Sequence, residues 1–259
     1  MNIERQLGPE EQPNIEILKW EEEWRQYYAP LQKKQIDREL KKYGVEISES
    51  EWKHYFDAVN FVGQEDFTRA IESFGNTEEE SKKNSNNEWG VEHRGVIYIN
   101  PVKQDGRKIE IASPLVMHEV LHSAADFFDE KQNFIRNGLF SSENSRELGE
   151  AVIDELCHDA LSDIGDIPPN RHDFMNQLCQ VLPFKDWVLG CFTEQGYRDL
   201  RKKIEAKLGD RGFEAIALFA KYNMSFEFGE YIRTGEIKLP RYADEDLRDK
   251  FLALGKSRE

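Results

Sequence analysis

Cysteine is scarce in this chain of 259 residues. Cys157, Cys179 and Cys191 are the whole set, and no two form a CxxC pair. An odd, sparse set predicts free thiols in a reducing compartment rather than a disulfide framework. Long apolar runs are missing as well. No stretch approaches the ~18 uncharged apolar residues of a membrane helix. The opening MNIERQLGPEEQPNIE lacks the apolar centre of a secretory signal, which predicts a cytoplasmic location. Basic charge is in deficit, with 35 Lys and Arg against 50 Asp and Glu, a net −15. Such a surface repels phosphate backbones, so nucleic acid is not expected as a partner, and the lack of long apolar runs leaves no membrane partner expected either. Against these absences stands a 12% aromatic content, which argues against global disorder. The length allows one or two domains with a real core.

Along the chain the reading is α+β and mostly helical. Residues 1–16 read as a frayed lead-in, and residues 1–75 as an N-terminal helical region. Leu18, Trp20, Trp24, Tyr27 and Tyr28 form an apolar stripe that Pro30 should break. A further helix is expected from about Gln35 to Tyr43, ending near Gly44. Ser48 and Glu51 have capping-box spacing before Trp52. Asp66 to Phe74 predicts another short helix. Residues 76–88, NTEEESKKNSNNE, hold no apolar side chain and read as a solvated loop at a subdomain boundary. Val91–Ile99 and Lys108–Ile111 read as two neighbouring strands of a small, antiparallel-rich sheet. From Ser113 onward all signals are helical. The expected organisation is a zinc-binding catalytic subdomain over 89–165, a helical C-terminal lobe over 166–240 completing a cleft, and a charged tail over 241–259 with a short helix from Asp244.

The chemistry concentrates at residues 118–122, His-Glu-Val-Leu-His. Ser113 followed by Pro114 starts a helix just upstream. His118 and His122 then lie one turn apart on one face, where two imidazoles can bind one Zn²⁺. Glu119 is offset by one residue, so it can take a proton from a zinc-bound water without ligating the metal. The flanking Val116, Met117, Val120, Leu121, Ser123 and Ala124 are uncharged, as a buried metal helix requires. The third ligand is sought on the next strong helix, Glu147 to Leu161. There Leu148, Val152, Leu156 and Ala160 form the core face, and Glu150, Asp154 and His158 a polar stripe. Glu150 is the expected ligand. Asp154 is expected to accept an Nδ1–H from a ligand histidine and fix its tautomer. His158 is read as supporting the site or as contacting the metal. Glu147 and Glu155 are read as solvated, and Cys157 as a buried thiol.

These residues resemble the gluzincin clan of zinc metallopeptidases, through Val116 to Ala124 and through Gly149-Glu150-Ala151-Val152-Ile153-Asp154. The resemblance implies that Glu150 is the third ligand and that Asp154 supports a histidine. Two departures stand out: Gly149 replaces the clan's asparagine, and 27 residues separate His122 from Glu150. The metzincin pattern is excluded, because Ala125 and Phe128 occupy the places of its glycine and third histidine. Asn176 to Tyr222 looks like the helical lobe of small bacterial gluzincins, with the stripe Leu200, Ile204 and Leu208 stopped by Gly209 and a second stripe of Phe213, Ile216, Ala217 and Ala220. A peptidase also needs an oxyanion donor, and His172, Tyr197, Tyr222 and Tyr231 are the candidates. The expected activity is zinc-dependent endoproteolysis of a protein or peptide substrate, with Val96–Asn100 as an edge strand for β-augmentation. The alternatives are a catalytically silent, metal-stabilised interaction protein, for which His158 would be a fourth ligand, and an effector or toxin-type protease.

Overall fold

A computed structural model describes residues 12–103, 105–128, 134–139, 146–161, 169–241 and 243–255. The architecture is α+β and 68% helical, with one three-stranded and one two-stranded sheet. The chain packs as two units. One draws its described residues from Met1–Asp37 and Ile47–Ala124, the other from Arg38–Glu46 and Ala125–Glu259. No helix among the described residues is long and apolar enough to cross a membrane.

The first unit opens with α1 (Gln12–Glu23), a π-helical turn (Trp24–Tyr28) and α2 (Ala29–Tyr43), so helix already covers part of the expected lead-in. Pro30 does not break this run. Proline removes one N–H and clashes with the carbonyl four residues back. Here the Ala29 N–H donates to the Trp24 carbonyl five residues back, and the widened turn lets the proline ring through. Only part of the expected apolar stripe is buried. Trp20 and Trp24 are buried, whereas Leu18 and Tyr27 are exposed. Trp24 packs against Phe56 and Phe61 at ring distances of 5.9 and 5.6 Å, and its Nε1 donates to Gln32. Gly44, at φ +85°, follows the end of α2 as expected.

The capping box of Ser48 and Glu51 starts α3 (Glu49–Asp57). Then come β1 (Val59–Phe61), a strand the sequence did not announce, and α4 (Gln64–Ser73). The expected loop at 76–88 is instead α5 (Glu78–Asn87). Two ends explain it. Thr77 and Glu80 form a second capping box. At the other end the buried Lys103 ammonium donates to the carbonyls of Ser85, at 2.6 Å, and Glu88. Small Ser81 and Ser85 make the buried face. Thr68 and Gln64 of α4 bond Ser85 at 2.8 Å each. Polar hydrogen bonds thus replace the missing apolar stripe.

VEHRGVIYI is not one strand but the hairpin of β2 (Gly90–His93) and β3 (Val96–Ile99). Its two-residue turn, Arg94-Gly95, has φ +52° and +80°, both positive as a type I′ turn requires. Lys108–Ile111 forms no strand. Lys108 makes only an isolated bridge to Val102. The sheet order β1-β3-β2 places β3 in the centre, parallel to β1 and antiparallel to β2. The expected edge strand at Val96–Asn100 is therefore overturned: β1 and β2 are the edges. The unit ends with α6 (Leu115–Ala124), whose first amide donates to the Ser113 hydroxyl at 3.3 Å.

The second unit begins with an unforeseen hairpin, β4 (Asp126–Phe128) and β5 (Phe134–Asn137), in a stretch the sequence read as helical. Helices follow: α7 (Arg146–Ala160), α8 (Pro169–Val181), α9 (Phe184–Phe192), α10 (Glu194–Leu208), α11 (Gly212–Lys221), α12 (Ser225–Thr234) and α13 (Glu245–Gly255). The core face of α7 holds as expected, with Leu148, Val152, Leu156 and Ala160 buried. Gly209, at φ +86°, ends α10, and Phe213, Ile216, Ala217 and Ala220 of α11 are buried. The short helix expected from Asp244 forms as α13, and its inner face is apolar rather than charged. From Leu247 onward, an i, i+4, i+7 face of Leu247, Phe251 and Leu254 is buried, and Phe251 meets Phe219 at 4.9 Å. Asp244 supplies the cap, accepting from the Leu247 amide at 2.8 Å.

Arg136 of β5 joins the hairpin to the helices of this unit. Its guanidinium lies between the rings of Phe127, at 3.7 Å, and Tyr197, at 4.2 Å. It donates to the carbonyls of Gly138, Gly190 and Thr193, and meets Glu194 at 3.5 Å. Burial lowers its pKa, and the Glu194 carboxylate opposes that shift.

Candidate metal centre

Within the first unit, α6 is a buried helix. Val116, Met117, Val120 and Leu121 are wholly enclosed. His122, Ser123 and Glu119 are buried too, and His118 is half-buried. Polar groups on so apolar a helix carry a desolvation cost unless they have partners. The two imidazoles face each other, with ring centres 4.7 Å apart and Nε2 to Nε2 at 3.0 Å. Two histidines sharing one tetrahedral zinc at roughly 2.0–2.1 Å place their nitrogens about 3.3 Å apart. The pair thus has the separation of a chelating couple.

Glu119 lies against β2. A Cβ placed on Gly90 would come within 2.9 Å of the Glu119 Cγ and 3.1 Å of its Oε1. Only glycine leaves that carboxylate its present position. Nothing in the sequence near Gly90 signals this role, because it depends on a strand and a helix meeting at one residue.

The remaining expected site residues lie in the second unit. Glu150 is on α7, with its side chain 14% exposed and its carboxylate 3.7 Å from Arg146. Asp154 follows one turn on and is half-buried. Cys157 is buried as expected. His158 and His172, read separately in the sequence, are neighbours, their ring centres 6.4 Å apart. His172 Nδ1 lies 3.2 Å from a Glu155 carboxylate oxygen. Glu155 is thus half-buried and engaged rather than solvated, and Glu147 is half-buried as well.

Each of the three candidate tyrosines has a packing role. Tyr197 covers Arg136 and meets Phe213 edge-on at 5.9 Å. Tyr222 accepts from Lys250 Nζ at 3.0 Å. Tyr231 is buried beside Phe219 and donates to the Leu208 carbonyl at 3.4 Å. Comparison with protein-family models, curated proteins and solved structures finds no match to this chain.

Proposed function

We propose that this chain is a zinc-dependent peptidase of gluzincin type, acting on a protein or peptide substrate. The observation that carries the reading is the paired His118 and His122, with Nε2 atoms 3.0 Å apart on a helix that also buries Glu119. His118 and His122 hold the metal, and Glu150 is the proposed third ligand. Bound zinc supplies a Lewis acid that polarises the scissile carbonyl and acidifies water. The rest falls to the chain's own groups. Glu119 takes the proton from the attacking water and returns it to the leaving amine. Burial in an apolar helix keeps bulk water from competing for that proton. The resemblance gives Asp154 the task of fixing a ligand histidine's tautomer. β2, an edge strand beside α6, takes the place of β3 as the strand that pairs with an extended peptide. A purely structural metal site has no use for Glu119, which favours catalysis over the silent alternative.

The test is metal content together with hydrolysis of an unfolded protein substrate. Wild type should lose its activity on chelation and recover it with zinc. Glu150→Ala should hold one zinc fewer per chain and be inactive. Undiminished zinc in that variant would remove Glu150 from the ligand set, and zinc-independent hydrolysis would remove the mechanism.

Gly90 gives a second check. Gly90→Ala should keep zinc and lower kcat about tenfold or more, because a displaced general base loses its alignment. An unchanged kcat would show that Glu119 tolerates the shift.

A further inference from the structure

We propose that Glu155, His158, Asp159 and His172 form a second cation site, which takes one zinc or similar divalent transition-metal ion and ties α7 to α8. Glu155, His158 and Asp159 stand at i, i+3 and i+4, a spacing that puts all three on one face of α7. Each offers a ligand atom, and these atoms all lie within 4.8 Å of one another. His172 comes from the other helix, its Nδ1 3.2 Å from Glu155 Oε2. Two imidazoles and two carboxylates from two helices match the donor set of zinc, cobalt or nickel. Magnesium and calcium prefer oxygen alone.

The charges around the cluster favour a cation. Glu39 and Tyr43 approach from α2, and Cys179 from α8. Burial, then Glu155 and Glu39, push the Asp159 carboxyl up. Burial, then Glu155 and Asp159, push up the Cys179 thiol. Lys42, the nearby cation felt by Asp159, is itself paired with Glu39 at 2.5 Å. The cluster is also open: the side chains of His158, Asp159 and His172 are 50%, 41% and 47% exposed. An ion can enter without opening the fold.

This site is separate from the one proposed for catalysis. Eight residues along α7 separate His158 from Glu150, a rise of about 12 Å. Paired catalytic metals stand only about 3.5–4 Å apart. The second ion therefore acts as a clamp on the helix that carries Glu150, not as a partner in the reaction.

The test uses the full chain with His118→Ala and His122→Ala, which removes the first proposed site. It is stripped with chelator and titrated with zinc chloride by calorimetry, then with cobalt chloride by visible absorption. One equivalent of zinc should bind, cobalt should give d–d bands, and Tm should rise with metal. Adding His158→Ala and His172→Ala should weaken binding at least about tenfold and shrink the Tm rise. Glu155→Gln, which is isosteric, should weaken binding likewise, with circular dichroism showing an unchanged fold. No zinc bound by the His118→Ala, His122→Ala chain would overturn the proposal, as would binding indifferent to His158, His172 and Glu155. The peptidase reading fails on a different result, in wild type and Glu150→Ala, so the two are distinguishable.

Discussion

Glu119→Gln should retain its zinc and lose hydrolysis by about 10³-fold, within the range of about 10²–10⁴ contributed by a positioned general acid–base. The amide has the shape of the carboxylate, so it fits the same slot against Gly90, where a Cβ would already stand 2.9 Å from Glu119 Cγ. The metal should stay because His118 and His122 are untouched. On the proposed mechanism, what disappears is the ability to accept a proton from water and pass it to the leaving nitrogen. The loss should therefore appear in kcat, with KM little changed, because the group acts on the transition state rather than on substrate binding. Zinc analysis beside steady-state kinetics reads both halves. Retained hydrolysis would assign the proton transfer to another group. Lost zinc would make Glu119 part of the metal's support.

The second large effect is on stability. Arg136→Met should cost about 3–5 kcal/mol, because several buried carbonyls lose their donor at about 1–3 kcal/mol each. The long apolar methionine fills much of the volume between Phe127 and Tyr197, so the cavity contribution stays small. The loss comes from the carbonyls of Gly138, Gly190 and Thr193, which would lose their donor in the interior. At roughly 2–4 °C per kcal/mol for a chain of this size, Tm should fall by about 6–20 °C. Arg136→Lys should recover little. An ammonium has no planar fork to serve three carbonyls while stacked between two rings. Thermal unfolding followed by circular dichroism measures both variants. A loss below about 1 kcal/mol in Arg136→Met would mean that aromatic packing alone holds the hairpin to the helices.

Legibility in the sequence followed the distance over which each interaction acts. The capping box at Ser48, the end of α10 at Gly209 and the buried face of α7 depend on residues within a turn or two, and each was readable. So was the spacing of His118 and His122, since four residues on a helix determine a face. The β2–β3 turn is hard to read because Arg94 takes a positive φ that is rare outside glycine. Pro30 reads as a break because nothing local announces a π-helical turn. The helix α5 reads as a loop because Lys103, which closes its C-terminal end, lies beyond it in the chain. The cluster of His158, His172 and Glu155 was invisible for a related reason: it exists only where two helices meet.

The polar construction of α5 has a thermodynamic consequence. Apolar burial gives unfolding its large positive heat capacity and weakens on cooling, whereas exposing polar surface lowers the heat capacity. The attachment of α5 rests on hydrogen bonds from Gln64, Thr68 and Lys103 to Ser85, so its release adds little to the heat-capacity change of its unit. The attachment of α13, through Leu247, Phe251 and Leu254, has the opposite character. Cooling therefore loosens the C-terminal helix, while the all-polar helix keeps its hold.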